Sequence, residues 1–590
     1  MKFKKLIALL MAMCCVVPFT ACSPDGDGGD VDPNLTTVIS FMNFNGGIGS
    51  VWLEKAAERF QSLRANHSYA TGKTGVYIDI AKSMSVGTSN MKDSGYHIYT
   101  AEQYSTAVPA LLAAQNLLLD ITEWVQDDTR EGGSIEDNLF DSVKGSLTLE
   151  EDGETHYYGL PHYESYGGLQ YNHGIFEEVN DGNGLFIADA EEYDFVEYSS
   201  PYGTVNLVGS PEAVKSAGPD GEKGTTDDGL PSSLQELIIF MSYFKENTKY
   251  APVTISGACL NYSNYFSSGL WAALAGAEQM RNYYNCSGWV EIVKREGGGS
   301  ILYTNENLFP GIDYIKKPQT EWVNLNETNG YLGQQMVAKF YTIALYEIME
   351  KEGFYAGDTY ISTRSHYDGQ AGIFIGAAGG YSDAAMLIEA SYWYGEAEEG
   401  GTFTLYETLT GYDSDDLDLR MYPLPSKIYN DSVDREGNVI EGRATSFIDI
   451  SHCYLFVNKN IENQAEVLAA VEDFVKFLYT EDELEYFTVE TGEPRAIKYD
   501  LTSAQLAEAG SYVENLWSLR DNAAGSNIIY CSGTTQAFRS ARESLKLYLS
   551  GEGFKSDTNH FLASIRNGKG TETVFEGAAW SQAQWESIAG

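Results

Sequence analysis

The sequence predicts an α/β fold. Short apolar runs of strand length alternate with longer runs whose apolar residues recur at helical spacing. No internal repeat of solenoid period competes with that pattern. A chain of 590 residues is long enough for more than one domain.

The elements follow in order. Lys2, Lys4 and Lys5 precede an apolar segment, Leu6 to Phe19, too short to span a bilayer as a mature helix. "FTAC" then ends on Cys22, like the cleavage site of a bacterial lipoprotein, with Phe19 where Leu is usual. This predicts a signal peptide over 1–21 and lipidation of Cys22 at the extracellular face of the bacterial cell membrane. The other reading is an ordinary secretory signal cut nearby. Residues 22–36, rich in Gly, Asp and Pro, read as a flexible acidic tether.

The body opens on a strand, Val38 to Phe41, and a Gly-rich loop, "NFNGGIGS". A helix follows from the N-cap Ser50, with Trp52, Leu53, Ala56, Ala57, Phe60 and Leu63 on one side. Val76–Ile80 and Ile98–Tyr99 read as strands. Residues 180–233, acidic and Gly-rich, read as an insertion. Leu332–Glu350 and 465–480 have the apolar spacing of helices, and 454–458 that of a strand.

Composition narrows function. With 38 Lys and Arg against 84 Asp and Glu, the net charge is −46, which repels phosphate backbones and excludes nucleic acid as a partner. The 41 tyrosines offer flat apolar faces with polar tips, suited to ligands that present both C–H faces and hydroxyls. No GxSxG, HExxH, P-loop or GxGxxG motif is present, and no carboxylate pair stands out, so no catalytic residue is assigned and the chain is not read as an enzyme. Cys259, Cys286, Cys453 and Cys531 have no metal-ligand spacing and read as free thiols, a Cys259–Cys286 disulfide being the alternative. In "GPDGEKGTTDDGLP", the carboxylates of Asp220, Glu222, Asp227 and Asp228 are near enough in sequence to converge on a hard cation. A structural Ca²⁺ is one expectation and a solvated acidic loop the other; no further cofactor is expected.

Several segments in order carry a resemblance: the lipoprotein start, the Gly-rich loop before "VWLEKAAERF", "LLLDITEWV", "YYGLPHYESYGGLQYN", "GPDGEKGTTDDGLP", "AAMLIEASYWYGEAE", "LRMYPLP" and "VEDFVKFLYTED". Together they resemble the extracellular solute-binding proteins of ABC importers, specifically the carbohydrate-binding family 1 group that includes the maltose-binding proteins. The resemblance spans roughly 36–500; the insertion and the long C-terminal part depart from it. It implies a two-lobed periplasmic-binding-protein-like fold of type II with a hinge between lobes. An N-terminal lobe would span 37–160, completed by about 425–480. A C-terminal lobe would span 161–424, completed by about 481–590. It also implies an oligosaccharide ligand, permease subunits as partners, attachment through the Cys22 lipid, and a monomer.

The resemblance also implies the contacts. Asn43, Asn45 and Gly47 match the first cleft loop; Glu102, Gln103 and Tyr104 match the second; Tyr163 and Glu164 match the segment after Pro161. Tyr392 or Trp393 stands where an aromatic stacks on the sugar, after the small Ser391, and Asp368 and Gln370 stand where a polar contact is frequent. Trp271 and Trp580 rank below these. Glu389 either binds hydroxyls or caps the next segment. Trp52 and Trp124, each leading into apolar runs, read as core. A surface glycoside hydrolase or lyase without a recognisable motif, and a carbohydrate adhesin or sensor, are the competing readings.

Overall fold

Two mixed sheets, each wrapped by helices, divide the chain into two lobes. The computed structural model describes residues 31–589 apart from 84–90, 93–94, 103–108, 130–131, 152, 183, 190–194, 210–213, 444–446, 450–452, 523–527, 531–560, 578 and 580. The signal segment, Cys22, Gln103, Tyr104, Cys531 and Trp580 therefore lie outside the described residues, as does the Glu102 side chain.

The first lobe begins with β1 (Thr37–Phe44), α1 (Val51–Leu63), β2 (Val76–Ser83) and β3 (Ile98–Glu102). β1 alternates buried and half-buried residues along most of its length, as a strand covered on one face requires. It pairs in parallel with β2 and β3. β4 (Leu160–Pro161) lies at the far edge of the same sheet, where a proline without an N–H is tolerated. The chain then crosses to the second lobe, whose sheet contains β5 (Gly167–Asn172), β6 (Ala251–Thr254), β7 (Ala384–Ala390) and β8 (Leu419–Tyr422), in the order β6-β7-β5-β8. β7 is buried along its whole length, between neighbours on both edges and helices on its face.

Between β5 and β7 stand α2 (Leu234–Asn247), α3 (Ser263–Ala275), α4 (Ala277–Tyr284) and α5 (Val337–Lys351). α3 is buried on all sides because it packs on β5 and β7 below and α5 above. The spacing predicts one helix from Leu332, but Met336 adopts ψ 137, so a 3₁₀ turn, Gly330–Gln335, precedes α5. The insertion holds a three-stranded antiparallel sheet of Phe186–Ile187, Val196–Ser200 and Gly203–Val208.

A second crossing brings β9 (Cys453–Val457) between β3 and β4, antiparallel to both. α6 (Ala465–Leu478) covers β1. α7 (Glu481–Thr491) packs on α1, with Phe487 5.1 Å from the Trp52 ring and Glu483 bound to Arg59. Trp52 and Trp124 are core. The third crossing thus follows α7, and α8 (Ser511–Asn522) packs on β8 of the second lobe.

The crossings are laced together at one seam. The Glu164 N–H donates to the Pro494 carbonyl at 2.8 Å. Tyr166 and Ser391 bond through the Tyr166 N–H to the Ser391 hydroxyl (3.0 Å) and the Ser391 N–H to the Tyr166 carbonyl (2.9 Å). The Ser391 hydroxyl donates to Glu493 at 3.0 Å. Among the described residues no helix is long and apolar enough to cross a membrane. Cys259 and Cys286 are both free thiols, so the disulfide alternative is not formed.

Candidate functional site

The lobes face each other where the Gly-rich loop after β1 meets the helix after β7. Asn43, fully buried, shapes that loop: its amide donates to the carbonyls of Phe44 and Gly49 and to the Ser50 hydroxyl, and its oxygen accepts from Thr100 at 2.5 Å. Asn45 accepts from Ser50. Gly47 and Gly49 sit at φ +58 and +66, where a β-carbon is strained. At Gly49 a β-carbon would also overlap the Glu399 carboxylate of the opposite lobe.

On the second lobe, the residues after β7 form a short helix, Trp393–Glu399, rather than an open turn. Trp393 and Ala397, four residues apart, face inward, and Glu396 is left half-buried beside Glu389. Burial pushes the Glu389 carboxyl well above the ordinary carboxylate range, and the charge of Glu396 adds to that, so Glu389 is a neutral acid that can both donate and accept. Gln370 donates from Nε2 to Glu396 at 3.4 Å, while its buried Oε1 has no hydrogen-bond partner. Tyr262 is half-buried; burial, then Glu389 and Glu396, drive its hydroxyl far up, so it remains a phenol. Its ring lies 5.3 Å from Tyr265, whose hydroxyl accepts from Tyr392 at 2.9 Å. Tyr367 stands 38% exposed, 3.9 Å from the His366 ring, and burial lowers the pKa of that imidazole.

This patch joins donors, acceptors and aromatic faces, a chemistry suited to holding a hydroxyl-rich ligand. Of the residues singled out from sequence, Glu389 and Gln370 belong to it, and Asn45 and Gly47 lie in the loop opposite. Asp368 closes a capping box with Ser365 at the start of His366–Ala371. Tyr392 and Trp393 are fully buried; the indole packs against Tyr394, Tyr512 and Phe374, with centroids at 5.9, 5.6 and 6.5 Å. Tyr163 is buried at the seam, and Glu164 forms a buried ion pair with Arg520. Trp271 lies inside the second lobe against Tyr283 at 5.3 Å. Glu396, Tyr262 and Tyr367 were not singled out, although "HYDG" and "YWYGEAE" contain two of them; the signal is Glu396 three residues after Trp393, on one helical turn.

The acidic turn uses its carboxylates on its own backbone. Asp227 accepts the Asp220 N–H (2.9 Å) and the Thr225 hydroxyl (2.6 Å); Asp220 accepts the Glu222 N–H and Asp228 the Gly224 N–H. Burial, with Asp220 and Asp228 nearby, raises the Asp227 carboxyl to about 7. Among the described residues no group of three or more His, Cys, Asp or Glu is placed to hold a metal.

No family model matches the chain, and no curated protein matches it. Solved structures do. A chitin oligosaccharide binding protein is 13% identical with a TM-score of 0.50, the match covering 94% of this chain and 99% of that one. The SBP RafE in complex with raffinose is 10% identical with a TM-score of 0.50, covering 94% and 100%. BlMnBP1, a binding protein of an ABC transporter from Bifidobacterium animalis subsp. lactis in complex with mannobiose, is 12% identical with a TM-score of 0.50, covering 97% and 99%. The chain has the two-lobed α/β fold of solute-binding proteins.

Proposed function

We propose that this protein captures an oligosaccharide between its lobes and hands it to the permease of an ABC importer, tethered to the membrane by lipid on Cys22. The observation that carries the reading is a patch opposite the Gly-rich loop of the other lobe, in which the buried Glu389 and Gln370 back the half-buried Glu396 and Tyr262 and the exposed Tyr367. Neutral acid, carboxylate, amide and phenol together satisfy sugar hydroxyls, and an exposed tyrosine ring takes a C–H face. The fold supports capture by hinge closure, because all three crossings converge on one seam. The saccharides named with the similar structures, chitin oligosaccharide, raffinose and mannobiose, support the ligand class.

Calorimetric titration with chito-, manno-, gluco- and raffinose-family oligosaccharides tests the reading. Saturable binding with the sugar recovered intact is the expected result, weakened at least tenfold by Glu396→Gln. Steady release of cleaved product, or no binding across the panel, overturns it. Mass spectrometry of the membrane-extracted protein is expected to find acylated Cys22; an unmodified N-terminus elsewhere removes the anchor.

A further inference from the structure

A second cavity lies in the C-terminal lobe, away from the inter-lobe cleft. Its volume is about 680 Å³, within the range of small-molecule sites. It opens at the C-terminal end of α3, by Leu274 and Ala275, whereas the Tyr265 end of α3 faces the cleft. The 13 residues of α3 separate the two by about 20 Å at 1.5 Å per residue.

One wall is a two-stranded antiparallel ribbon, Gly288–Val293 with Thr320–Leu325. Trp289 and Glu291, two apart, share a face of the first strand, and Trp322 pairs directly with Glu291, so all three side chains rise from one face. Trp289 is 42% exposed, with the Arg435 guanidinium 5.1 Å from its ring. Trp322 is half-buried and makes no ring contact among the described residues.

Opposite stand two arginines. Arg443 donates to the Leu274 carbonyl at 3.2 Å and feels the charges of Glu291 and Asp434. Arg281 is half-buried and has neither an ion pair nor a side-chain hydrogen bond among the described residues. Burial lowers the pKa of both guanidiniums. Arg281 is left with its planar fork open to the cavity and only the charge of Glu278, one turn earlier on the same helix, beside it, so an anion can take the fork without displacing a salt bridge. On a surface this acidic, retaining such a guanidinium beside indole faces is a feature of recognition rather than of solubility.

We propose that this cavity is a second binding site, for an acidic saccharide: the fork of Arg281 grips a uronic carboxylate, the sugar ring stacks on Trp322, and Glu291 accepts a hydroxyl. The planar fork matches a carboxylate bidentately. Five carboxylates, of Glu278, Glu291, Asp431, Asp434 and Glu436, line the same cavity and offset its five lysine and arginine cations, so a monoanion is admitted in preference to a phosphate dianion. The site is independent of the inter-lobe reading.

The test is calorimetric titration of the full-length protein with digalacturonate, with the uncharged methyl ester of the same disaccharide, and with inorganic phosphate. Saturable binding of digalacturonate, weakened by added salt, is expected. Arg281→Gln should weaken it at least tenfold with an unchanged melting temperature. Trp322→Ala should weaken it comparably and Trp322→Phe should retain most of it, which guards against a misfolded arginine variant. Affinity for the cleft oligosaccharide should not move in any of them. Equal binding of the methyl ester, tighter binding of phosphate, absence of digalacturonate binding, or insensitivity to both substitutions overturns the proposal.

Discussion

Replacing Arg520 with Met tests what holds the lobe crossings in place. Arg520 Nε donates to Glu164 at 3.0 Å, and the side chains are 5% and 0% exposed. Its Nη2 also donates to the Ile497 carbonyl at 2.9 Å, and its guanidinium lies 4.7 Å from the Trp517 ring. Methionine keeps the bulk but leaves the Glu164 carboxylate buried with the Tyr166 hydroxyl as donor. Removing one partner of a buried pair costs about 3–5 kcal/mol, because the remaining charge stays desolvated. At roughly 2–4 °C per kcal/mol for a unit of lobe size, calorimetry should record a melting temperature lower by about 6–20 °C. The double variant Glu164→Gln/Arg520→Met removes the stranded charge and should recover more than half of that loss. A shift under about 2 °C for Arg520→Met, or a double variant no better than the single, refutes the electrostatic reasoning. A Glu164→Gln protein with an intact melting temperature but tenfold weaker sugar binding would make Glu164 a ligand contact instead of a seam residue.

Three further outcomes follow from the same packing. Burial holds Lys339 near 7, against about 10.4 in an unfolded chain, so the folded state prefers the neutral amine. Its contribution to stability is therefore fully present above about pH 10.4, falls as pH drops towards 7, and is constant below. Relative to wild type, Lys339→Met should gain up to about 4 kcal/mol between pH 10 and 6 in urea titrations; parallel pH profiles would falsify this. Asn43→Ala removes four bonds that set the Gly-rich loop and should cost about 1–3 kcal/mol in melts, with weaker sugar binding by calorimetry. Gly49→Ala forces a β-carbon against Glu399 and should weaken sugar binding, with partial rescue by Glu399→Ala; an unaffected affinity would mean the lobes close elsewhere.

Much of the fold was legible because its signals are local. β1, α1, β3 and the helix of 465–478 each show their period within a dozen or so residues, and most of the residues read onto their apolar sides are buried; Leu63, in the last turn of α1, is 60% exposed instead, and Val467 and Leu468, in the first turn of α6, are half-buried. What local pattern does not carry is the covering of one element by another far along the chain. Trp393 follows a strand and precedes acidic residues, which reads as an open platform. Its lid is Tyr512, on a helix more than a hundred residues later. Glu164 looks like a loop carboxylate, yet its partner is 356 residues away. The Glu389–Glu396 pair was hidden for a different reason: helical winding after β7 brings together residues that an extended turn would splay apart.

That same winding decides which ring takes the sugar. Trp393 is enclosed by three aromatic rings, so Trp393→Ala opens a cavity and should lower stability by about 3–5 kcal/mol. Once folded at low temperature, that variant should bind sugar nearly as wild type does, because Glu396 is half-buried rather than enclosed with Trp393, and Gln370 belongs to a different helix, His366–Ala371. Tyr367 is 38% exposed, backed by His366 and placed at the mouth beside Gly400. Tyr367→Ala removes little packing but a whole stacking face, worth about 0.5–1.5 kcal/mol, so affinity should fall several-fold with the melting temperature unchanged. The opposite pattern, with affinity lost at Trp393 and stability lost at Tyr367, would require the 393–399 helix to unwind when ligand binds and present the indole to the cleft.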